Sequence, residues 1–445
     1  MKIMLVQPKT LMRPMDTKLK TLMAPSLALL TLINLTPEKH EIFIVNENIE
    51  DIDFNADVEL VGISVTVDVF NRAVEIAKKF KERNIPTVAG GIHISACPEM
   101  AEGHFDSICT GMAERVWTKM LEDAENGCLK KVYCDMSGIS GEEIVSPAYD
   151  KIDTNKYFYT NILSTSRGCP FRCDFCYNSS SGAPEHIKRP VEDVIKDIKA
   201  LHRKHVMFVD DNFIGDINWA KEFCKTIMPM KIKWNCAVSA NILNHPDLMD
   251  LMKESGCQSL FIGLESLNST SLTSVHKVQN NINNYDLLVE EIHKRGMMIN
   301  ASLVFGLDED DNTVFKTTLD WMVKHKIETV TSHILTPYPG TKLFERLKAE
   351  NRITDFDYSH YNTANVVYAP KNLTPEELYN GYLWFYREFY SVKNILKRLP
   401  ETKEQWMAYF LFNFVYRKYG KLTEFISNII PLHLIGKIIS KLCYK

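Results

Sequence analysis

The chain runs as two successive series of short β-branched segments separated by helical patterns, and that alternation restricts it to parallel sheets covered by helices. In the first series the strand candidates are Ile3 to Val6, Glu41 to Val45, Leu60 to Val65, Pro86 to Ala89 and Asp106 to Cys109. Asn71 to Arg83 carries apolar residues at Ala73, Val74, Ile76, Ala77 and Phe80, the spacing of a crossover helix. The turns Gln7-Pro8, Ser64-Val65-Thr66, Gly90-Gly91 and Gly111 fall at the carboxyl ends of these strands, where open α/β sheets bind ligands.

From Gly127 to about Asn161 the pattern breaks into Gly, Ser, Asp and Pro, as expected of a connecting segment. A second series follows, with strands near Ile162 to Ser166, Val206 to Val209, Ile232 to Val238, Ser259 to Ile262, Ile299 to Phe305 and Thr329 to Ile334. Pro190 to Lys204 and Asn281 to Arg295 read as helices between them. Six βα units are too few for a closed eight-unit barrel, so an open partial barrel is predicted, with its function at the carboxyl ends of the strands. From Tyr358 onward the strand rhythm gives way to aromatic, helical sequence. The expected organisation is α/β: a Rossmann-like doubly wound parallel sheet over 1–145, a partial (β/α)6 barrel over 146–355, and a mainly helical region over 356–445.

Composition narrows the function. A chain of 445 residues with net charge −4 lacks the basic excess of a free-standing nucleic-acid binder. No run reaches the ~20 apolar residues of a membrane span. The N-terminus runs straight into a strand with no signal-peptide pattern behind it, so a reducing cytoplasm is expected and most of the 11 cysteines read as buried filler.

Three cysteines are different. Ser166-Arg-Gly-Cys169-Pro-Phe-Arg-Cys173-Asp-Phe-Cys176-Tyr places three thiols on one loop directly after the first strand of the second series. Closely spaced thiolates hold either an iron–sulfur cluster or zinc. Structural zinc would want a fourth ligand, and the nearest candidate is His186. A cubane with three protein ligands leaves one iron open for a chelating substrate.

Cys169, Cys173 and Cys176, with Phe175 at the aromatic position, resemble the CxxxCxΦC signature of the radical S-adenosylmethionine (SAM) superfamily. The resemblance implies a [4Fe-4S] cluster that reductively cleaves SAM to methionine and a 5′-deoxyadenosyl radical, fed by an electron donor such as flavodoxin or ferredoxin. It also implies SAM contacts at successive strand ends: Phe175, Asp211 in the acidic turn Asp210-Asp211-Asn212, Ser239 and Asn241, and Glu265, followed by Lys277, Gln279 and Asn280. The acidic turn lacks the Gly-Gly-Glu that is commoner in the superfamily.

Upstream of such a core, the first domain resembles the cobalamin-binding domain of cobalamin-dependent radical SAM proteins. The matching features are the Pro8 turn, Pro25 to Leu30, Gly62-Ile63-Ser64, Gly90-Gly91-Ile92-His93 and Gly111 to Glu114. On this resemblance Gln7, Ser64, Thr66, Gly90, Gly91, His93, Gly111 and Glu114 face cobalamin. The Asp-x-His-x-x-Gly motif that supplies a histidine below cobalt is absent, so a base-off corrinoid is implied. The dinucleotide fingerprint G-x-G-x-x-G is absent as well.

The function expected is therefore methylation of an unactivated carbon, or of phosphorus, on a small-molecule or lipid substrate. Rearrangement, cyclisation or oxidation without methyl transfer is the alternative, and an iron–sulfur or corrinoid carrier is the non-enzymatic one. No catalytic residue beyond the cofactor ligands is identified. Trp406 to Tyr416 and the tail LHLIGKIISKLCYK form apolar or amphipathic helices that either pack on the barrel or touch a membrane surface.

Overall fold

The computed structural model describes residues 1–427 apart from 136, 137, 181, 182 and 184, so the LHLIGKIISKLCYK segment lies outside the described residues. Two six-stranded, all-parallel sheets dominate it. The first contains β1 (Lys2–Gln7), β2 (Glu41–Asn46), β3 (Leu60–Ser64), β4 (Thr87–Gly90), β5 (Ser107–Gly111) and β6 (Val132–Asp135), in the spatial order β2-β1-β3-β4-β5-β6. The order reverses between β1 and β3, which opens a crevice at the carboxyl ends of the strands. β1 is a near-continuous apolar run with Ile3 to Val6 buried, as a strand covered on both faces requires. The helix Phe70–Lys81 lays Ala73, Ile76, Ala77 and Phe80 on the sheet and ends on Lys78, Lys79 and Lys81, which complement its dipole.

The second sheet follows chain order. A two-residue β7 (Ile162–Leu163) pairs with β10 (His205–Phe208), and β11 (Lys233–Val238), β12 (Cys257–Glu265), β13 (Met298–Phe305) and β14 (Thr329–Ile334) continue to the far edge. Between β7 and β10 lies a small antiparallel pair, β8 (Ser166–Arg167) with β9 (Ile187–Lys188). The fold class is the expected one. Two boundaries differ: β6 lies inside the segment read as a connector, and the first barrel strand turns away after Leu163 instead of running to Ser166.

Burial alternates along the barrel strands. Trp234, Cys236, Leu260, Ile262, Ile299 and Val330 are fully packed beneath the outer helices. Asn235, Ala237, Phe261, Asn300, Thr331 and His333 point the other way and keep accessible surface, so the partial barrel encloses an open lumen. The exposed edge of β14 is capped by tyrosines of the helix Pro375–Phe389 and of Tyr390, which follows it. The Tyr386 hydroxyl accepts from the Ser332 N–H at 2.9 Å and donates to its carbonyl at 3.2 Å, and Tyr390 does the same for Val330 at 3.2 and 3.0 Å. An unpaired strand edge is thereby satisfied without another strand. That helix starts on a capping box of Thr374 and Glu377 with Pro375 in its first turn.

The first sheet sits over the barrel mouth. Asn71 Nδ2 donates to Asp357 Oδ1 at 2.8 Å, and His93 Nδ1 meets the Tyr177 hydroxyl at 3.1 Å. Gly340, at φ +83°, comes so close to the Ala96 backbone that a Cβ would lie 2.9 Å from its carbonyl oxygen. These contacts hold the carboxyl ends of both sheets face to face.

Candidate active site

The cysteine loop begins where β7 ends. Asp210, buried at the end of β10, accepts the backbone N–H of Thr165 at 2.7 Å and of Ser166 at 2.5 Å on Oδ1, and the Ser166 hydroxyl at 2.9 Å. Those bonds turn the chain out of the sheet just before Arg167, and Gly168, at φ +74°, continues the bend into Cys169. Burial is the largest influence on the Asp210 carboxyl and pushes it up to about 6 despite these donors.

Cys173 is buried, and Cys169 and Cys176 are half-buried free thiols. Burial pushes Cys176 up to about 12 and raises Cys169 as well, and each is raised further by Cys173. The Cys173 carbonyl accepts the Cys176 N–H at 3.0 Å and the Ser179 hydroxyl at 2.7 Å, which closes the loop into a fixed turn. Gln279 Nε2 reaches the Cys173 sulfur at 3.6 Å. Lys277 lies 2.7 Å from Glu265 and 5.8 Å from the centre of the Phe175 ring. Burial works against the Lys277 charge, but Glu265 and the Cys173 and Cys176 thiols outweigh it and raise the ammonium.

Three thiols on one loop, one buried and two half-buried, with the Lys277 ammonium held charged by Cys173 and Cys176, suit a multi-iron cluster in which each thiolate takes its own iron and the cation offsets their charge. The donor set fits a [4Fe-4S] cluster on this ground.

Of the expected SAM residues, Phe175 lies in this loop, and Glu265 reaches it through Lys277, which sits 5.8 Å from the Phe175 ring. Asp211 is close enough to raise both Cys169 and Cys176, whereas Asp210 is spent on the backbone of β7. Ser239 donates to Asn241 Oδ1 and receives the amide of Asn212 at 3.2 Å, so three polar side chains form one patch beyond β11. Glu265 ends β12 at φ +63°, a strained conformation for a non-glycine residue that turns its carboxylate back toward Lys277.

Above the loop, a cavity of about 440 Å³ opens between the two domains. Of the residues expected to face cobalamin, Ser64, Gly90, Gly91, Gly111 and Glu114 line it, while Gln7, Thr66 and His93 do not. Gln7 pairs with Asn46 in the ladder of β1 and β2, and Thr66 donates to Asp68 at 2.6 Å. His93 is wholly buried at the domain junction, where loss of solvation lowers it to about 4 and keeps it neutral. Gly91, at φ +117°, brings its backbone so close to β3 that a Cβ would sit 2.7 Å from the Val65 carbonyl oxygen. The inner part of the cavity is apolar, walled by Leu29, Leu32, Val88 and Trp117. Glycine edges above an apolar slot fit a large planar ring.

The barrel contributes Ser164, Arg167, Arg189 and Val209 to the same cavity. Arg167, two residues before Cys169, forms a 2.6 Å ion pair with Glu114 and lies 3.4 Å from the Met112 sulfur. The sequence motif stops at the cysteines, so Arg167 is not singled out there. Its position directly upstream of Cys169 was the available signal.

Residues 163–322 match the radical SAM superfamily, and residues 341–429 match a domain of unknown function, DUF4070. The bacteriochlorophyllide d C-12(1)-methyltransferase of Chlorobaculum tepidum is 29% identical over 80% of this chain and 81% of its own length. Two solved structures share the fold. The radical SAM methyltransferase TsrM of Kitasatospora setae, with cobalamin and a [4Fe-4S] cluster bound, superposes at TM-score 0.59 with 16% identity over 78% of each chain. The cobalamin-dependent SAM radical enzyme OxsB, with aqua-cobalamin and SAM bound, reaches 0.69 with 15% identity, covering 97% of this chain and 73% of that one.

Proposed function

We propose that this chain is a radical SAM enzyme and, within that class, a cobalamin-dependent methyltransferase acting on an unactivated carbon of a small, largely apolar molecule. The observation that carries the reading is the shared cavity: Arg167, on the chain that leads into the cysteine loop, lines the same space as Ser64, Gly90, Gly91 and Gly111. A methyl carrier and a radical source can cooperate only if both open onto one substrate.

In this reading Cys169, Cys173 and Cys176 hold the [4Fe-4S] cluster. Phe175, Asp211, Ser239, Asn241 and Glu265 hold SAM, and Ser64, Gly90, Gly91, Gly111 and Glu114 hold the corrinoid. When bound, these groups supply methyl transfer and hydrogen abstraction, chemistry that no side chain of the protein can perform. The protein's own part is placement. Asp210 fixes where the cysteine loop leaves the sheet, Lys277 offsets the thiolate charge, and Arg167 with Glu114 holds the two cofactor loops in register. Electrons come from a low-potential donor such as flavodoxin or ferredoxin. The similarity to a bacteriochlorophyllide methyltransferase makes a tetrapyrrole-like substrate the first to try. Among the described residues no helix is long and apolar enough to cross a membrane.

The test is anaerobic incubation of the reconstituted protein with a reductant and methyl-labelled SAM. Label on the bound corrinoid, together with 5′-deoxyadenosine that Cys173→Ala does not form, supports methyl transfer. Deoxyadenosine without labelled corrinoid replaces it with rearrangement or oxidation.

A further inference from the structure

The segment Lys9 to Met23 runs from the first sheet to the barrel and places Arg13 and Lys20 on one carboxylate. Arg13 Nε and Nη2 donate to Asp16 at 2.7 and 3.2 Å, and Lys20 donates to the same carboxylate at 2.6 Å. Asp16 is almost fully buried, with its side chain 2% exposed. Arg13 also reaches Thr363 Oγ1 at 3.3 Å, and that hydroxyl meets His333 Nδ1 at 3.0 Å on the lumen face of β14. A third cation, Arg417, lies within Coulombic reach of Lys20 and His333, and its Nε is buried with no hydrogen-bond partner. Burial is the main influence on His333, and Arg13, Lys20 and Arg417 hold it further down, so it stays neutral.

Arg13 and Lys20 thus share one carboxylate, with the Lys20 side chain 43% exposed, while the Arg417 guanidinium lies 5.8, 5.5 and 5.0 Å from the ring centres of Tyr390, Phe412 and Tyr416 and makes no ion pair among the described residues. Buried charge without a counter-ion is costly, and an orphaned buried guanidinium nitrogen adds to the cost. An arrangement of this kind is stable when a ligand brings the missing negative charge. His333 stands one residue before the carboxyl end of β14, and Tyr338, just beyond that end, stacks at 4.7 Å on Tyr177, the residue after Cys176, so the cluster lies at the same end of the barrel as the cysteine loop.

We propose that Arg13, Lys20 and Arg417, with His333 and Thr363, bind a carboxylate of the substrate and thereby orient its apolar body toward the cysteine loop. This rests on the methyltransferase reading and names its substrate class: an apolar molecule carrying a carboxylate. Guanidinium groups favour that ligand because their planar forks match its two oxygens.

Titration calorimetry on the full-length reconstituted protein tests the site with 3-phenylpropanoate, its neutral amide and inorganic phosphate. The acid should bind saturably and at least tenfold more tightly than the amide. Arg417→Gln and Lys20→Met should each weaken the acid by about tenfold and leave the amide unchanged. Lys20 is half-exposed, so its variant remains informative if Arg417→Gln fails to fold. Equal binding of acid and amide, no saturable binding of the acid, or undiminished acid binding by a folded Lys20→Met overturns the proposal. Phosphate binding tenfold tighter than the acid overturns the choice of carboxylate. Deoxyadenosine formation, measured separately without probe, distinguishes the two readings: selective acid binding by a protein that never cleaves SAM retains the anion site and removes the methyltransferase.

Discussion

Replacing Asp210 separates its charge from its role as a backbone acceptor. The carboxyl stands at about 6 against an ordinary value near 3.8, with burial as the dominant cause. That displacement corresponds to about 3 kcal/mol. Because the folded state holds the proton more tightly than the unfolded state, stability from this group is greatest below pH 3.8 and is lost as pH rises through 6. Asp210→Asn carries no such charge. Its stability relative to wild type should therefore rise by about 2–3 kcal/mol between pH 4 and pH 7.5, whatever fixed cost its amide nitrogen adds. Asp210→Ala removes the acceptor of the Thr165 and Ser166 N–H groups, both buried. It should fall below Asn at every pH by about 2–4 kcal/mol. Urea unfolding of the three proteins at pH 4, 5.5 and 7.5 measures both differences, and melting temperatures should follow at ~2–4 °C per kcal/mol. A gap between Asn and wild type that does not change with pH, or an Ala variant as stable as Asn, refutes the reasoning.

Other perturbations follow from single contacts. Gly91→Ala combines a positive φ with a 2.7 Å clash on the Val65 carbonyl and should cost about 2–4 kcal/mol in thermal unfolding, with corrinoid retention lost in gel filtration. Arg167→Gln leaves Glu114, whose side chain is 4% exposed, without its cation; with Arg167 itself partly solvated the loss should be about 2 kcal/mol, accompanied by faster corrinoid release in stopped-flow absorbance. Tyr386→Phe unpairs the Ser332 N–H and carbonyl on the β14 edge and should cost about 1–3 kcal/mol, with faster hydrogen exchange at the Ser332 amide.

Much of this arrangement was legible in the sequence because its signals are local. The strand from Thr329 to Ile334 lies where alternation puts it, and the glycines at 90, 91 and 111 mark strand ends that do line the cavity. The spacing of Cys169, Cys173 and Cys176 needs no tertiary information at all. What was hidden depends on contacts distant in sequence. β6 is a strand because it pairs with β5, although Val132 is exposed and its segment is rich in turn formers. His93 follows a glycine pair, and its Nδ1 meets the hydroxyl of Tyr177, 84 positions away, a contact that no local pattern announces. Asp210 and Asp211 are neighbours with opposite fates, because one faces the β7 backbone and the other the cysteines. Arg13 and Lys20 sit in a segment without periodicity, and only the lumen of the barrel gives them meaning.

The most direct test of the account is the metal and corrinoid content of protein purified under strict anaerobiosis. The account predicts about four irons and one corrinoid per chain, with charge-transfer absorption that disappears in Cys173→Ala while the corrinoid stays. Colourless protein, or zinc in place of iron, contradicts it.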